Sequence, residues 1–195
     1  MAEYFYTVSA LPHLGPDSPP VLSRGDFLGL CNVTLSGEDW AVLLEARLQN
    51  PDARETGNAT LDFWFAWDRS LRAELAKLRA GKKGFETESY NQYGLAAQSA
   101  ADAARSAFGE ASPAEAEKLL FQARWAMLDE LESRHIFDFD KIIVYYLRLQ
   151  LAELKQQRNK AEGEKNFSLL YDSIVQKNPS NPGGEASQAA AVRRA

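Results

Sequence analysis

Residues 139–154 read FDKIIVYYLRLQLAEL. Phe139, Ile142, Ile143, Val144, Tyr145, Tyr146, Leu147, Leu149 and Leu151 leave almost no polar side over the first three turns of a helix. A helix that is apolar all round is a buried one. Each fully buried side chain of this size contributes roughly 1.5–3 kcal/mol. The stretch is therefore expected to be the spine of an all-α fold. Asp138 is placed to cap it. The helix is expected to run to about residue 160, to turn polar beyond Leu154 and to break at Gly163.

The segments on either side show helical periodicity with punctuation. Ser112-Pro113-Ala114-Glu115 has the spacing of a capping box with proline at the first helical position. It should open a helix through EAEKLLFQARWAMLDELES, and Ser112→Ala would then cost on the order of 1 kcal/mol. The run LAAQSAADAARSAF before Gly109 is rich in alanine and suits close approach of a neighbouring helix. Residues 81–94, GKKGFETESYNQYG, form a loop. Before it, LDFWFAWDRSLRAELAKLRA is a helix started by Asn58 or Thr60, with Leu71, Leu75 and Leu78 on one face, and Gly81 is the expected C-terminal cap. Trp64, Trp67 and Phe63 widen that face. Ser36 with Asp39 opens a helix through Asn50-Pro51, and Ser23 with Asp26 opens a shorter one carrying Phe27, Leu28 and Leu30.

The first 22 residues contain PHLGPDSPP, a rigid non-helical connector, after the aromatic leader Tyr4-Phe5-Tyr6-Thr7-Val8. The leader is expected to lie across the helices as an extended or single-turn strap that buries Tyr4, Phe5, Tyr6 and Val8. A helical start is the alternative. EKNFSLLYDSIVQ reads as a last helix. Residues 179–195, PSNPGGEASQAAAVRRA, have the composition of a disordered tail. The organisation expected is one helical domain over 1–178 with an N-terminal strap over 1–22, followed by the tail.

The chain has 195 residues, 45% hydrophobic and 25% charged, with a net charge of −5. That balance argues against nucleic acid as partner. Cys31 is the single cysteine, which fits a reducing compartment and reads as a small buried hydrophobe. MAEYFYTV lacks a basic start and a long apolar run, so no secretory signal is expected. No stretch reaches the ~18 apolar residues of a membrane span.

Reactive chemistry has little to stand on. His13 lies in the proline connector and His135 between two helices, and both read as structural. No histidine pair has metal spacing, and neither phosphate-binding glycine pattern is present. Asp138 and Asp140 are explained by capping and the helix dipole, and Tyr145-Tyr146 by the core. No catalytic, cofactor or metal residue is expected. Charge is more informative. Residues 69–83 carry six Lys/Arg against Glu74, and residues 110–140 carry eight Asp/Glu against Lys118, Arg124 and Arg134. Two solvated faces is the plain reading. The sharper one is a pair of surfaces for different partners, with Arg69, Arg72, Arg79, Lys82 and Lys83 as contacts and Phe85, Tyr90 and Tyr93 as aromatic anchors.

YFYTVSALPHLG (4–15) with SPPVLSRGDFLGLC (18–31), and FDFDKIIVYYLRLQLAELKQQRNKAEGEKNF (137–167), resemble a family of uncharacterised bacterial proteins found with V-type ATPase subunits. That family resembles in turn a shortened form of the V/A-type ATPase subunit called C in prokaryotes and d in eukaryotes. The resemblance implies an all-helical, non-catalytic body between the central rotor stalk and the membrane ring. Its partners would be other V-type ATPase subunits and its place cytoplasmic, reaching the membrane only through them. No cofactor is implied. The chain is markedly shorter than the larger relative, and residues 50–110 carry no part of the likeness. No binding residue is carried over position by position. A transient assembly or regulatory factor for the same complex is the alternative. A small helical enzyme with a pocket under Trp64, Trp67 and Trp125 is a third reading.

Overall fold

The computed structural model describes residues 4–50, 54–85 and 98–157. Seven helices and no strand occur among them. They are α1 (Phe5–Ala10), α2 (Arg24–Thr34), α3 (Gly37–Glu45), α4 (Ala59–Lys82), α5 (Gln98–Gly109), α6 (Pro113–Glu132) and α7 (Phe139–Gln157). The chain divides into two compact units, residues 1–153 and 154–195. The packing below is that of the first. The expected last helix, the tail and Tyr90 and Tyr93 lie outside the described residues.

The spine is α7. Every residue from Ile142 to Leu149 is buried, and Leu151 and Ala152 follow. Phe27 of α2 stacks on Tyr145 and Tyr146, with ring centroids 5.5 and 5.2 Å away. Burial pushes both tyrosine hydroxyls above their ordinary pKa. Cys31, one turn after Phe27, is fully buried, and burial raises its thiol to about 12. It is a neutral packing group, as its surroundings in the sequence suggest.

Around the spine, α5 packs against both α4 and α6. Its buried residues are Ala100, Ala104 and Ala107. Side chains of one carbon let the helices approach closely. Trp67 of α4 donates its indole N–H to Ser99 Oγ at 3.0 Å. Trp64 and Trp67 stack with centroids 5.9 Å apart. Phe63, expected to widen that apolar face, is instead half exposed.

Several boundaries differ from the sequence expectation. Helix α3 stops at Glu45 rather than Asn50. The backbone turns out of helical geometry at Ala46, and the carbonyl of that residue accepts a 2.9 Å bond from Gln150 Nε2 of the spine. A tertiary bond thus replaces continued helix. Asn58 is the cap of α4: its Oδ1 accepts from Leu61 N at 2.9 Å, while its Nδ2 donates to Asp140 at 3.0 Å. Ser112 precedes α6, but its side chain makes no capping bond. Glu115 turns to Lys118. The cost of about 1 kcal/mol expected of Ser112→Ala has no hydrogen bond to carry it. Asp138 does cap α7, accepting from Lys141 N at 3.1 Å.

The leader takes the helical alternative. With 3.6 residues per turn, positions 4, 7 and 8 share a face while 5 and 6 point away. Thr7 is buried, and Tyr4 and Val8 pack on the core. Phe5 and Tyr6, expected to be buried, are 44% and 82% exposed. The proline connector after α1 is non-helical, and Leu14 anchors it in the core.

Helix α4 runs through Gly81 and ends at the next residue, Lys82. Phe85 N donates to Ala80 O at 3.0 Å and Gly84 N to Gly81 O at 3.1 Å, with Gly84 at φ +74°. That bond pair is a Schellman stop with glycine in the left-handed position. Gly84→Ala should cost about 1 kcal/mol through the left-handed backbone. Gly81→Ala, inside the helix, should stabilise by roughly 0.5–1 kcal/mol. Urea unfolding of the two variants checks the assignment, because the sequence expectation gives the opposite order.

Candidate functional site

Polar side chains converge at three places. The first is Asp68 of α4, whose side chain is 1% exposed. Arg72 Nε lies 2.8 Å from its Oδ2, and Arg124 Nε of α6 lies 2.9 Å from its Oδ1. One buried carboxylate therefore ties two helices through two guanidinium groups. The second is Arg148, in the middle of the buried spine. It pairs with Asp129 and Glu132 of α6 and lies over the Trp125 ring, 5.6 Å from its centroid. Lys141 adds a 2.7 Å pair to Glu132. Burial acts to raise the Glu132 pKa, but the hydrogen bonds and charges of Lys141 and Arg148 outweigh it and hold the carboxyl below its ordinary value.

The third place is the joint between α6 and α7. His135 Nδ1 is 2.7 Å from Asp138 Oδ2 and 4.0 Å from Asp140 Oδ2. Thr60 Oγ1 is 3.4 Å from the other ring nitrogen. The donor atoms of the three residues lie within 4.8 Å of one another, and one imidazole with two carboxylates is a donor set divalent cations use. Each group is already engaged, however. Asp138 caps α7 and holds His135, and Asp140 accepts from Asn58. The helix dipole at this end also disfavours a cation. The arrangement works as a clasp joining the start of α4 to the start of α7.

Beside the clasp is a group of exposed apolar side chains. Phe5 meets Phe137 at 4.7 Å and Tyr6 edge-on at 5.6 Å between ring centroids. Ile136 precedes Phe137 and is 69% exposed. Tyr4 anchors this end of α1: its hydroxyl bonds Asp39 and its ring lies 6.0 Å from Phe139. A separate open cleft of about 180 Å³ is lined by Glu45, Arg47, Arg54 and Phe65 among others. Its mixed charges favour no particular ligand.

The basic residues singled out from the sequence divide into two groups. Arg72 is committed to Asp68. Arg69 is half-buried, with its Nε enclosed and without a hydrogen-bond partner. Arg79, Lys82, Lys83 and Phe85 are exposed at the C-terminal end of α4, and Lys82 lies 5.7 Å over the Phe108 ring. Sequence reasoning missed the Asp68 and Arg148 nodes; at the joint it placed His135 between two helices and Asp138 as a cap, but missed the bonds to Asn58 and Thr60 of the α4 start. The available signal was Arg148 itself: a cation within an all-apolar helix must find buried partners, and Asp129 and Glu132 stand three residues apart on the preceding helix.

Asp68→Ala should cost about 3 kcal/mol, because it leaves Arg124 without its partner inside the protein. Arg105→Ala, which breaks an exposed pair with Asp102, should cost less than about 0.5 kcal/mol. Denaturant titration separates the two. Glu132, with its folded-state pKa depressed, contributes stability above the ordinary carboxylate value of 4.5. That contribution is lost as pH falls through the lower folded value. Glu132→Gln should therefore flatten the fall in stability below pH 4.5, measured by thermal melts across acid pH against the wild-type chain.

A family model described as "Protein of unknown function (DUF2764)" matches residues 103–178, a span that takes in α6, α7 and the second half of α5. Comparison with curated proteins and with solved structures gives no match.

Proposed function

We propose that this chain is a non-catalytic helical adaptor of a bacterial V-type ATPase, linking the central rotor stalk to the membrane ring. The observation that carries the reading is the braced spine. A helix buried on all sides is cross-linked by the Arg148 pairs to α6, while Asp68 ties α4 to α6. Transmitting torque requires a body that resists shear between its helices and offers separate docking surfaces. Buried, directional ion pairs resist sliding where apolar contacts alone tolerate it. The resemblance of residues 4–31 and 137–167 to proteins found with V-type ATPase subunits supplies the identity of the complex. The tryptophans that motivated the enzyme reading are filled by packing: Trp64 against Trp67, and Trp125 between Phe121 and Arg148.

On this reading the exposed basic end of α4 is one docking surface. Arg72 is left out of its test, since a glutamate there would face buried Asp68 and unfold the protein for reasons unrelated to binding. The triple variant Arg79→Glu, Lys82→Glu, Lys83→Glu should remain folded by circular dichroism and lose co-purification with the ATPase. The wild-type chain should stay on the complex through a high-salt wash. Loss of the wild type in that wash would favour a transient assembly factor. No association of the wild type at any salt would overturn the proposal.

A further inference from the structure

We propose that the apolar patch of Phe5, Tyr6, Ile136 and Phe137 is a docking site for a helix of a partner protein that presents an apolar stripe flanked by lysine or arginine. Other exposed large apolar residues, such as Val21, Val33 and Leu44, are single aliphatic side chains of a kind ordinary for a protein surface. These four come from two chain segments more than a hundred residues apart, with Phe5 touching both Tyr6 and Phe137. They sit on a fixed base: Tyr4, next to Phe5 at the start of α1, is tied to Asp39 and Phe139, and the His135–Asp138 bond fixes the joint that carries the other half. An aromatic group held rigid in water has the properties of a binding anchor, because little side-chain freedom is lost on docking.

The charge at its edge selects the occupant. Asp39 lies next to Tyr4, and Asp138, whose side chain is 47% exposed, follows Phe137. Asp140 is two residues further on, in the first turn of α7. Among the described residues, Arg134 is paired with Glu130 and Lys141 with Glu132. His135 bridges Asp138 and offsets at most one carboxylate. The remaining negative charge repels a second copy of the same patch and an anionic membrane, and attracts a basic flank. A helix with residues i, i+3, i+4 and i+7 apolar would lay that stripe on the four side chains.

The test is selection of a random peptide display library on the full chain, with Tyr6→Ser/Ile136→Ser as the counter-selecting variant. Both positions are largely exposed, so the variant should keep the wild-type melting curve. Expected are enriched peptides with helical apolar spacing and basic flanks that bind the wild type at least about tenfold more tightly than the variant. Acidic or non-periodic peptides, peptides that bind both proteins equally, or no enrichment would overturn the proposal. So would dimerisation of the wild type that the variant abolishes, which would make a second copy the occupant. Co-sedimentation with phosphatidylglycerol vesicles that depends on the same two residues would assign the patch to lipid instead. None of these readouts depends on the ATPase assignment.

Discussion

The structure depends on α7 having no solvent face between Ile142 and Leu149. A helix enclosed in this way needs neighbours all round, and the chain supplies them from distant segments. Phe27 of α2 covers the two tyrosines, the end of α3 is held by Gln150, the cap of α4 is held by Asp140, and α6 is held by Arg148. Hydrophobic burial provides most of the driving force. It does not by itself specify how far one helix is displaced along another, since apolar surfaces of similar volume are interchangeable.

The buried charges supply that missing information. A guanidinium stays charged in a protein interior, so Arg148 must meet its carboxylates or leave the core. Asp129 and Glu132 are one turn apart on α6 and both reach it. A slip of either helix by one turn would leave a charge unpaired in a region of low dielectric. Asp68 imposes the same condition between α4 and α6. Such pairs add little to net stability compared with apolar replacements, and we infer that their value here is register. Register is also what a body that transmits force requires, which is why the ion pairs support the adaptor reading more directly than the size of the core does.

Much of this was legible in the sequence because it is local or periodic. The all-apolar run over Ile142–Leu147 announces a buried helix, the Ser23–Asp26 and Ser36–Asp39 spacings mark two helix starts, and alanine at 100, 104 and 107 marks a close contact. What was hidden depends on partners far away in the chain. Glu45 ends α3 because Gln150, about a hundred residues later, takes the next carbonyl. Ser112 has the right spacing for a cap, but spacing does not fix a rotamer. Gly81 is the expected stop, and the bonds to Ala80 and Gly81 select Gly84 instead. Arg72 counts as surface charge in a composition window and is in fact spent on Asp68. Tyr6 looks like core in a list of aromatics and is turned outward by the phase of a six-residue helix.

The clasp at the joint gives these surfaces a mechanical relation. Asn58, which caps α4, is bonded to Asp140 in the first turn of α7, and Asp138, the cap of α7, holds His135 beside the apolar patch. The other end of α4 carries Arg79, Lys82 and Lys83. At 1.5 Å per residue, the 24 residues of α4 set its cap at the joint about 36 Å from its basic end. A force applied at the joint enters α4 at its cap and the spine at its first turn together. It reaches the basic end through a helix that Asp68 pins to α6 near its middle. An adaptor with a single docking site would gain nothing from this arrangement. On the proposed reading, with docking at opposite ends of a pinned helix, the Asp68 pair to α6 lies on the path between them.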